Sequence, residues 1–345
     1  MKKTLKLFFT LEPPFGEIWL VVIIVSLLLL VRQIELDTAL GWLAAAAFLA
    51  SVYIGGHLIQ RLFKRYNLSM TKSRKFLKIF AGILFVVGLF WLVLFAAFQP
   101  SHDRDWELGH EALPLVVYSA TSSLVMIENF RDFEWTSSTT ALVNYETRSF
   151  DLDEMTGVDV LISNFDDFAG LAHIFLSFGF ADGEQVVVSL ETRREADESF
   201  SPLLGILRQF EIIYVVGSEE DVVGVRTGHR DERVYLYPTK ATPEQARELF
   251  NRLAFDINDV YQTPRMYNTL TRNCTNEITR RVEDMSEVDF PLTWKTVMPG
   301  YFDEVLYELG LIENDRPFAE VKARHLIDNT EVDADSATYS AELRS

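Results

Sequence analysis

Hydrophobic positions fall into three regimes along this chain of 345 residues. In the first, residues 15–31, 39–59 and 79–98 are apolar on every face, with no charge in their central portions. Each is about long enough to cross a bilayer, whereas a helix on the core of a water-soluble domain would show a polar face. This pattern predicts three transmembrane helices and assigns residues 1–98 to a membrane anchor. In the second regime, short runs rich in β-branched and aromatic residues are punctuated by Gly, Asp and Asn. They lie at 113–118, 123–130, 158–165, 173–180, 185–191, 211–216, 222–227 and 234–237. Such spacing predicts a mainly antiparallel sheet. Asp182-Gly183 between two of these runs is a hairpin signal.

Helical periodicity comes late. Thr242-Pro243-Glu244-Gln245 reads as a capping box with proline at the first helical position, and the helix it opens runs to about Val260. A second helix begins at Cys274, with Ile278, Val282 and Met285 on the same face. A third covers 302–309 and stops at Gly310. Residues 329–345 are polar and acidic and read as a disordered tail. The expectation is an α+β domain over 99–328, strands first and helices after.

Charge divides the chain at the same place. Of 32 basic and 50 acidic residues, 11 and 4 lie in 1–98, leaving 21 and 46 beyond. Basic residues crowd the loop between the second and third apolar stretches (Arg61, Lys64, Arg65, Lys72, Arg74, Lys75, Lys78). The positive-inside rule then puts the N-terminus in the cytoplasm and the later domain on the opposite side of the membrane. A domain this acidic does not hold nucleic acid through phosphate contacts. Cys/His groups with zinc spacing, glycine-rich phosphate loops and Gly-x-Ser-x-Gly elbows are missing from the sequence, so neither metal nor cofactor is expected.

The single cysteine is the chemical focus. Asn273 is a good N-cap, which places Cys274 at the first helical position. There the helix dipole and unbonded N–H groups favour thiolate over thiol. A small buried hydrophobe is the alternative reading of the same residue. A nucleophile needs a base, and His173 is the histidine that begins an apolar strand. Folding about Asp182-Gly183 brings Ser189–Arg193 alongside His173, so Glu191 is the candidate to orient the imidazole, with Ser189 as the other choice. Arg193 and Arg226 are candidates for an anionic head group or for salt bridges within the domain. Together with Asn273 they complete the expected substrate-binding set.

Three phrases, residues 173–180, 189–195 and 267–275, together resemble the DUF4105 family, also called the Lnb N-terminal periplasmic domain. Shorter matches at 129–133, 210–214 and 225–227 extend the resemblance over about 101–285. It implies a permuted papain-like fold of the NlpC/P60 type, in which histidine precedes cysteine. It implies, too, that the side of the membrane opposite the cytoplasm is the periplasmic side of a bacterial inner membrane. It also implies an enzyme that moves acyl chains of bacterial lipoproteins, with Cys274 as the acyl-accepting nucleophile and His173 as its base. The expected function is thus a membrane-embedded periplasmic cysteine acyltransferase whose partners are phospholipid or lipoprotein. The alternatives are a cysteine amidase or peptidase acting on cell-wall peptide, and a non-catalytic binding module.

Overall fold

Strands form where β-branched and aromatic residues alternate, within the part of the chain that the computed structural model describes: residues 99–345 apart from Asp166, Glu331, Asp335 and Ala337. The chain divides after Gln99, and everything below belongs to the unit Pro100–Ser345. Its strands are β1 (Leu115–Tyr118), β2 (Leu124–Arg131), β3 (Glu134–Ser137), β4 (Thr140–Leu142), β5 (Tyr145–Asp151), β6 (Met155–Asn164), β7 (His173–Phe180), β8 (Gln185–Arg193), β9 (Glu211–Gly217) and β10 (Arg233–Pro238). Eight of them make one sheet in the order β1-β2-β9-β8-β7-β6-β10, with β5 also on β2, while β3 and β4 form a separate ribbon. Neighbours are antiparallel except β2 and β9.

The helices are α1 (Pro202–Ile206), α2 (Glu219–Val222), α3 (Pro243–Gln262), α4 (Cys274–Met285), α5 (Trp294–Val297), α6 (Phe302–Glu308), α7 (Phe318–Arg324) and α8 (Tyr339–Glu342). Period-2 alternation sends β7 residues to two cores. Ile174, Leu176 and Phe178 join Leu249, Phe250 and Leu253 of α3, while Phe175 joins Val187, Ile213 and Val215 on the opposite face. Phe178 meets Phe250 edge-on at 5.3 Å, and complete burial of such a ring is worth about 2–3 kcal/mol. Thr242 and Gln245 close the expected capping box at the start of α3. The β7–β8 hairpin turns through Ala181-Asp182-Gly183, with Gly183 at φ +92°, a conformation that glycine adopts without steric strain.

Several expectations are corrected. The fold is mixed α/β around a sheet core rather than a permuted papain-like domain behind three transmembrane helices. Among the described residues no helix is long and apolar enough to cross a membrane, and the stretches 15–31, 39–59 and 79–98 lie outside those residues. The longest described helix, α3, has 20 residues but buries only one stripe. The run 222–227, read as a strand, is helical: Ser218 caps α2 by accepting the Asp221 N–H, and a π-turn over Val225–His229 follows. The run's β-branched side chains satisfy burial equally well in a helix packed against the sheet.

The tail at 329–345 is docked, not disordered. Tyr339 is fully buried and bonds Thr227 at 2.9 Å, and Arg344 reaches Asp159 at 2.7 Å and Glu219 at 2.6 Å. Its acidic composition hid two apolar anchors, Tyr339 and Leu343, and one arginine. Strand β5, which the pattern missed, is an edge strand whose one buried residue is Phe150, so its sequence carries no apolar alternation.

Buried ionisable groups make the fold acid-sensitive. Burial pushes the His110 imidazole down to about 3, and Arg131, Arg194 and Arg193 around it act in the same direction, against Glu191. His110 is therefore neutral in the folded chain, its Nδ1 accepting the Arg194 N–H at 3.4 Å. A depressed histidine contributes stability that is present above about pH 6.5, its unfolded value, and is lost as the pH falls towards 3. By pH 5 that loss is about 2 kcal/mol. The difference in urea midpoint between pH 7 and pH 5 is expected to be smaller in His110→Gln than in the wild type.

Candidate active site

Register places the first two members of the site. The β7–β8 ladder pairs Leu176 with Val188, and continuing it three residues sets His173 opposite Glu191. Both side chains, with that of Ser189 two residues away, leave the same face of the sheet. His173 Nε2 lies 2.7 Å from Ser189 Oγ and 3.1 Å from Glu191 Oε1, and Ser189 Oγ donates to Glu191 Oε1 at 2.7 Å. The ring stacks on Phe175 at 5.4 Å, which fixes its plane. Its Nε2 edge is occupied, which leaves Nδ1 for the third member.

That third member arrives from the other face. Helix α4 starts at Cys274 because Asn273 caps it, its Oδ1 accepting the Asn276 N–H at 2.8 Å. Cys274 and Ile278 pack into the same core as α3. The thiol comes to rest against the start of β7, within hydrogen-bond reach of the His173 ring and the Ile174 N–H. Burial alone would push this thiol up. The His173 charge, its hydrogen bond and the Ile174 N–H outweigh burial and hold the thiol below its ordinary value. For His173, burial pulls down, but Glu191 and the Cys274 thiolate lift the imidazole to about 10. Each charge thus favours the other, which biases the pair towards thiolate and imidazolium.

Glu191 is held as an anion. Burial opposes its charge, but His173 and Arg226 together outweigh burial and keep it well below the usual carboxylate range. Arg226 Nη2 donates to Glu191 Oε1 at 2.8 Å, and its Nη1 donates to the Val222 carbonyl. Arg226 also lies 4.8 Å over the Phe175 ring, on which His173 stacks.

Around Cys274 opens a cleft of about 480 Å³. Phe165, Leu171, Phe200, Ile206, Leu270 and Met298 line its apolar side, and Arg194, Arg226, Arg230 and Glu232 its polar side. Two loops meet at its mouth, where the Gly300 N–H donates to the Gly170 carbonyl at 3.2 Å. A Cβ on Gly300 would fall 1.8 Å from the Ala169 carbonyl oxygen, so only glycine permits this approach.

The structure thus brings Cys274, His173 and Glu191 together. The three residues expected to bind substrate are arranged otherwise. Arg193 does not line the cleft: it is buried, stacked 4.0 Å over Trp106, and donates to the His110 and Glu111 carbonyls. Arg226 lines the cleft but is committed to Glu191 and Val222. Asn273 lines it too, with its Oδ1 on the Asn276 N–H and its Nδ2 on the Thr269 carbonyl. Arg194, Arg230, Glu232 and Tyr267 were not singled out in the sequence, since a charged strand end and a turn carry no periodicity that separates a cleft residue from a solvated one. Among the described residues no group of three or more His, Cys, Asp or Glu is placed to hold a metal ion.

Residues 141–300 match the family model described as the Lnb N-terminal periplasmic domain. That segment, a little under half of the chain, is similar to this family. Every member of the constellation, His173, Ser189, Glu191, Arg226 and Cys274, lies inside the Lnb-type segment, whereas β1, β2 and the docked C-terminal segment lie outside it. No curated protein and no solved structure matches the chain.

Two outcomes follow for the Lnb-type site. Glu191→Gln removes the anion that lifts His173, so the pH midpoint for alkylation of Cys274 is expected to rise towards the ordinary thiol range near about 8.5. His173→Ala is expected to raise it at least as far. Arg226→Gln leaves the half-buried Glu191 carboxylate with His173 as its one remaining cation, and chemical denaturation is expected to show a loss of about 1–3 kcal/mol.

Proposed function

We propose that this chain is a cysteine acyltransferase acting on acyl groups of lipids or lipoproteins through a thioester on Cys274. The observation that carries the reading is the geometry: the Cys274 thiol within hydrogen-bond reach of His173, with Glu191 3.1 Å behind the imidazole, in a cleft with one apolar wall. A buried structural cysteine has no need of a protonated histidine or of a carboxylate behind it. The apolar wall suits an acyl chain: Leu270 and Val297 line the cleft and are more than half exposed, so they offer apolar surface that a chain would cover. The family's description supports a periplasmic setting.

The first step forms a bond between Cys274 Sγ and the ester carbonyl carbon. The carbonyl π electrons move to oxygen, where N–H groups of the first turn of α4 that have no partner inside the helix can receive the negative charge. Collapse of the tetrahedral species breaks the ester C–O bond, and His173 gives its proton to the departing alkoxide. In the second step an acceptor amine or hydroxyl loses a proton to His173 and forms a bond to the thioester carbon. The C–S bond breaks and the thiolate is restored beside imidazolium. Glu191 changes neither charge nor position and stabilises the imidazolium throughout.

Incubation with a short-chain phospholipid ester is expected to add one acyl mass to the peptide containing Cys274, with no adduct in Cys274→Ala. In His173→Ala the adduct should form at least 100-fold more slowly, the lower end of the usual contribution of a general acid–base group. Release of a cell-wall peptide fragment without any lipid adduct would overturn the acyl reading.

A further inference from the structure

The polar end of the cleft holds more guanidinium groups than the proposed chemistry uses. Arg226 supports Glu191, but Arg194 and Arg230 touch neither Cys274 nor His173 in any bond the structure shows. A small hollow of about 40 Å³ continues from the cleft and shares Glu191, Arg194, Arg226 and Arg230 with it. Two features mark this end as prepared for an anion. Arg194 Nε is buried and makes no hydrogen bond, although its Nη2 is held by Glu107 at 2.7 Å. The Arg230 guanidinium, one-third exposed and 5.8 Å over the Trp135 ring, makes no hydrogen bond among the described residues, and its nearest carboxylate, Glu232, stands 4.0 Å away.

Glu232 is also engaged elsewhere, since Ser163 Oγ donates to it at 2.5 Å and Arg226 lies 3.8 Å from it. Burial and the neighbouring Arg226 charge both disfavour the Arg230 cation, against Glu232 and Glu191, so an incoming anion would relieve it. The buried Arg194 Nε is a donor whose burial is costly unless a ligand completes it, and the part-exposed Arg230 offers a second cation to the same space.

We propose that Arg194 and Arg230 form an anion subsite that binds the phosphate group of the acyl donor while its ester carbonyl lies at Cys274. This inference rests on the acyl-transfer reading and names the class of donor: an acyl ester that carries a phosphate, as a phospholipid does. The two arginines come from separate elements, the end of β8 and the turn after Val225–His229, and line one hollow. Approach from two directions matches the tetrahedral oxygens of phosphate, whereas a planar carboxylate is filled along one edge by a single arginine fork. The acidity of the chain beyond residue 98 sharpens the argument. With 46 acidic against 21 basic residues there, an anionic substrate is repelled over most of the surface, and the cleft supplies local positive charge against that field.

The test uses the full chain and two donors of equal acyl length: dihexanoyl phosphatidylglycerol and the neutral ester p-nitrophenyl hexanoate. The ratio of their kcat/KM values is compared in wild type, Arg230→Gln and Arg230→Lys, after each variant is shown to melt as the wild type does. Loss of one charge-assisted contact is expected to lower the ratio about tenfold in Arg230→Gln, mainly through KM, with partial recovery in Arg230→Lys. An unchanged ratio in Arg230→Gln overturns the proposal, and if inorganic phosphate still binds the wild type, the hollow is a site for free phosphate instead. Should the wild type turn over neither ester, the acyl-transfer reading fails. Titration of Cys274→Ala with inorganic phosphate then decides the subsite. Binding that Arg230→Gln abolishes supports it, and no binding, or binding that survives the substitution, overturns it.

Discussion

One carboxylate oxygen, Oε1 of Glu191, is the point from which the site is built. It accepts from Ser189 and Arg226 and lies 3.1 Å from His173 Nε2, so three donors from three parts of the chain converge on a single atom. A half-buried anion in this setting depends on its cations staying in place, and each cation is in turn immobilised. His173 and Arg226 both pack on the Phe175 ring, which limits the movement of each. Cys274 lies at the far end of this chain of contacts: carboxylate favours imidazolium, and imidazolium favours thiolate.

The two faces of the sheet divide the labour. Histidine, serine and glutamate project from one face, while the cysteine belongs to the helical layer on the other. They meet because His173 is the first residue of β7 and Cys274 the first of α4, so both sit where their elements begin. A helix start brings unbonded N–H groups, and a strand start leaves room for a cleft. Neither would be available in the middle of an element.

Most of this was legible in sequence where local chemistry decides the outcome. The N-cap at Asn273, the capping box at Thr242 and the hairpin at Asp182-Gly183 are short-range signals that tertiary packing had no reason to override. The hairpin then made Glu191 a candidate partner for His173 through pairing geometry. Legibility failed where the same residues suit two environments. The β-branched run at 222–227 is buried in either a strand or a helix, and the Ser218 cap and the acidic first turn of α2 favour the helix. Arginines were the least legible of all. Arg193 and Arg194 are adjacent and leave opposite faces of a strand end, so neighbours in sequence became a core group and a cleft group. In the C-terminal segment a few anchors, Tyr339, Leu343 and Arg344, outweigh an acidic composition that signals disorder.

The β7–β8 hairpin behaves as a folding ruler. Its tip, Ala181-Asp182-Gly183, touches nothing in the site, so residues added there lengthen a surface loop and leave the measure intact. Its arms have no such freedom. One residue inserted between Ser177 and Phe180, or between Gln185 and Ser189, would turn His173 or Glu191 to the opposite side of the sheet and strand its charge in the aliphatic layer under α3. Length variation in this hairpin is therefore tolerated by position rather than by amount: a long excursion at the bend is silent, and a single step along either arm dismantles the chemistry.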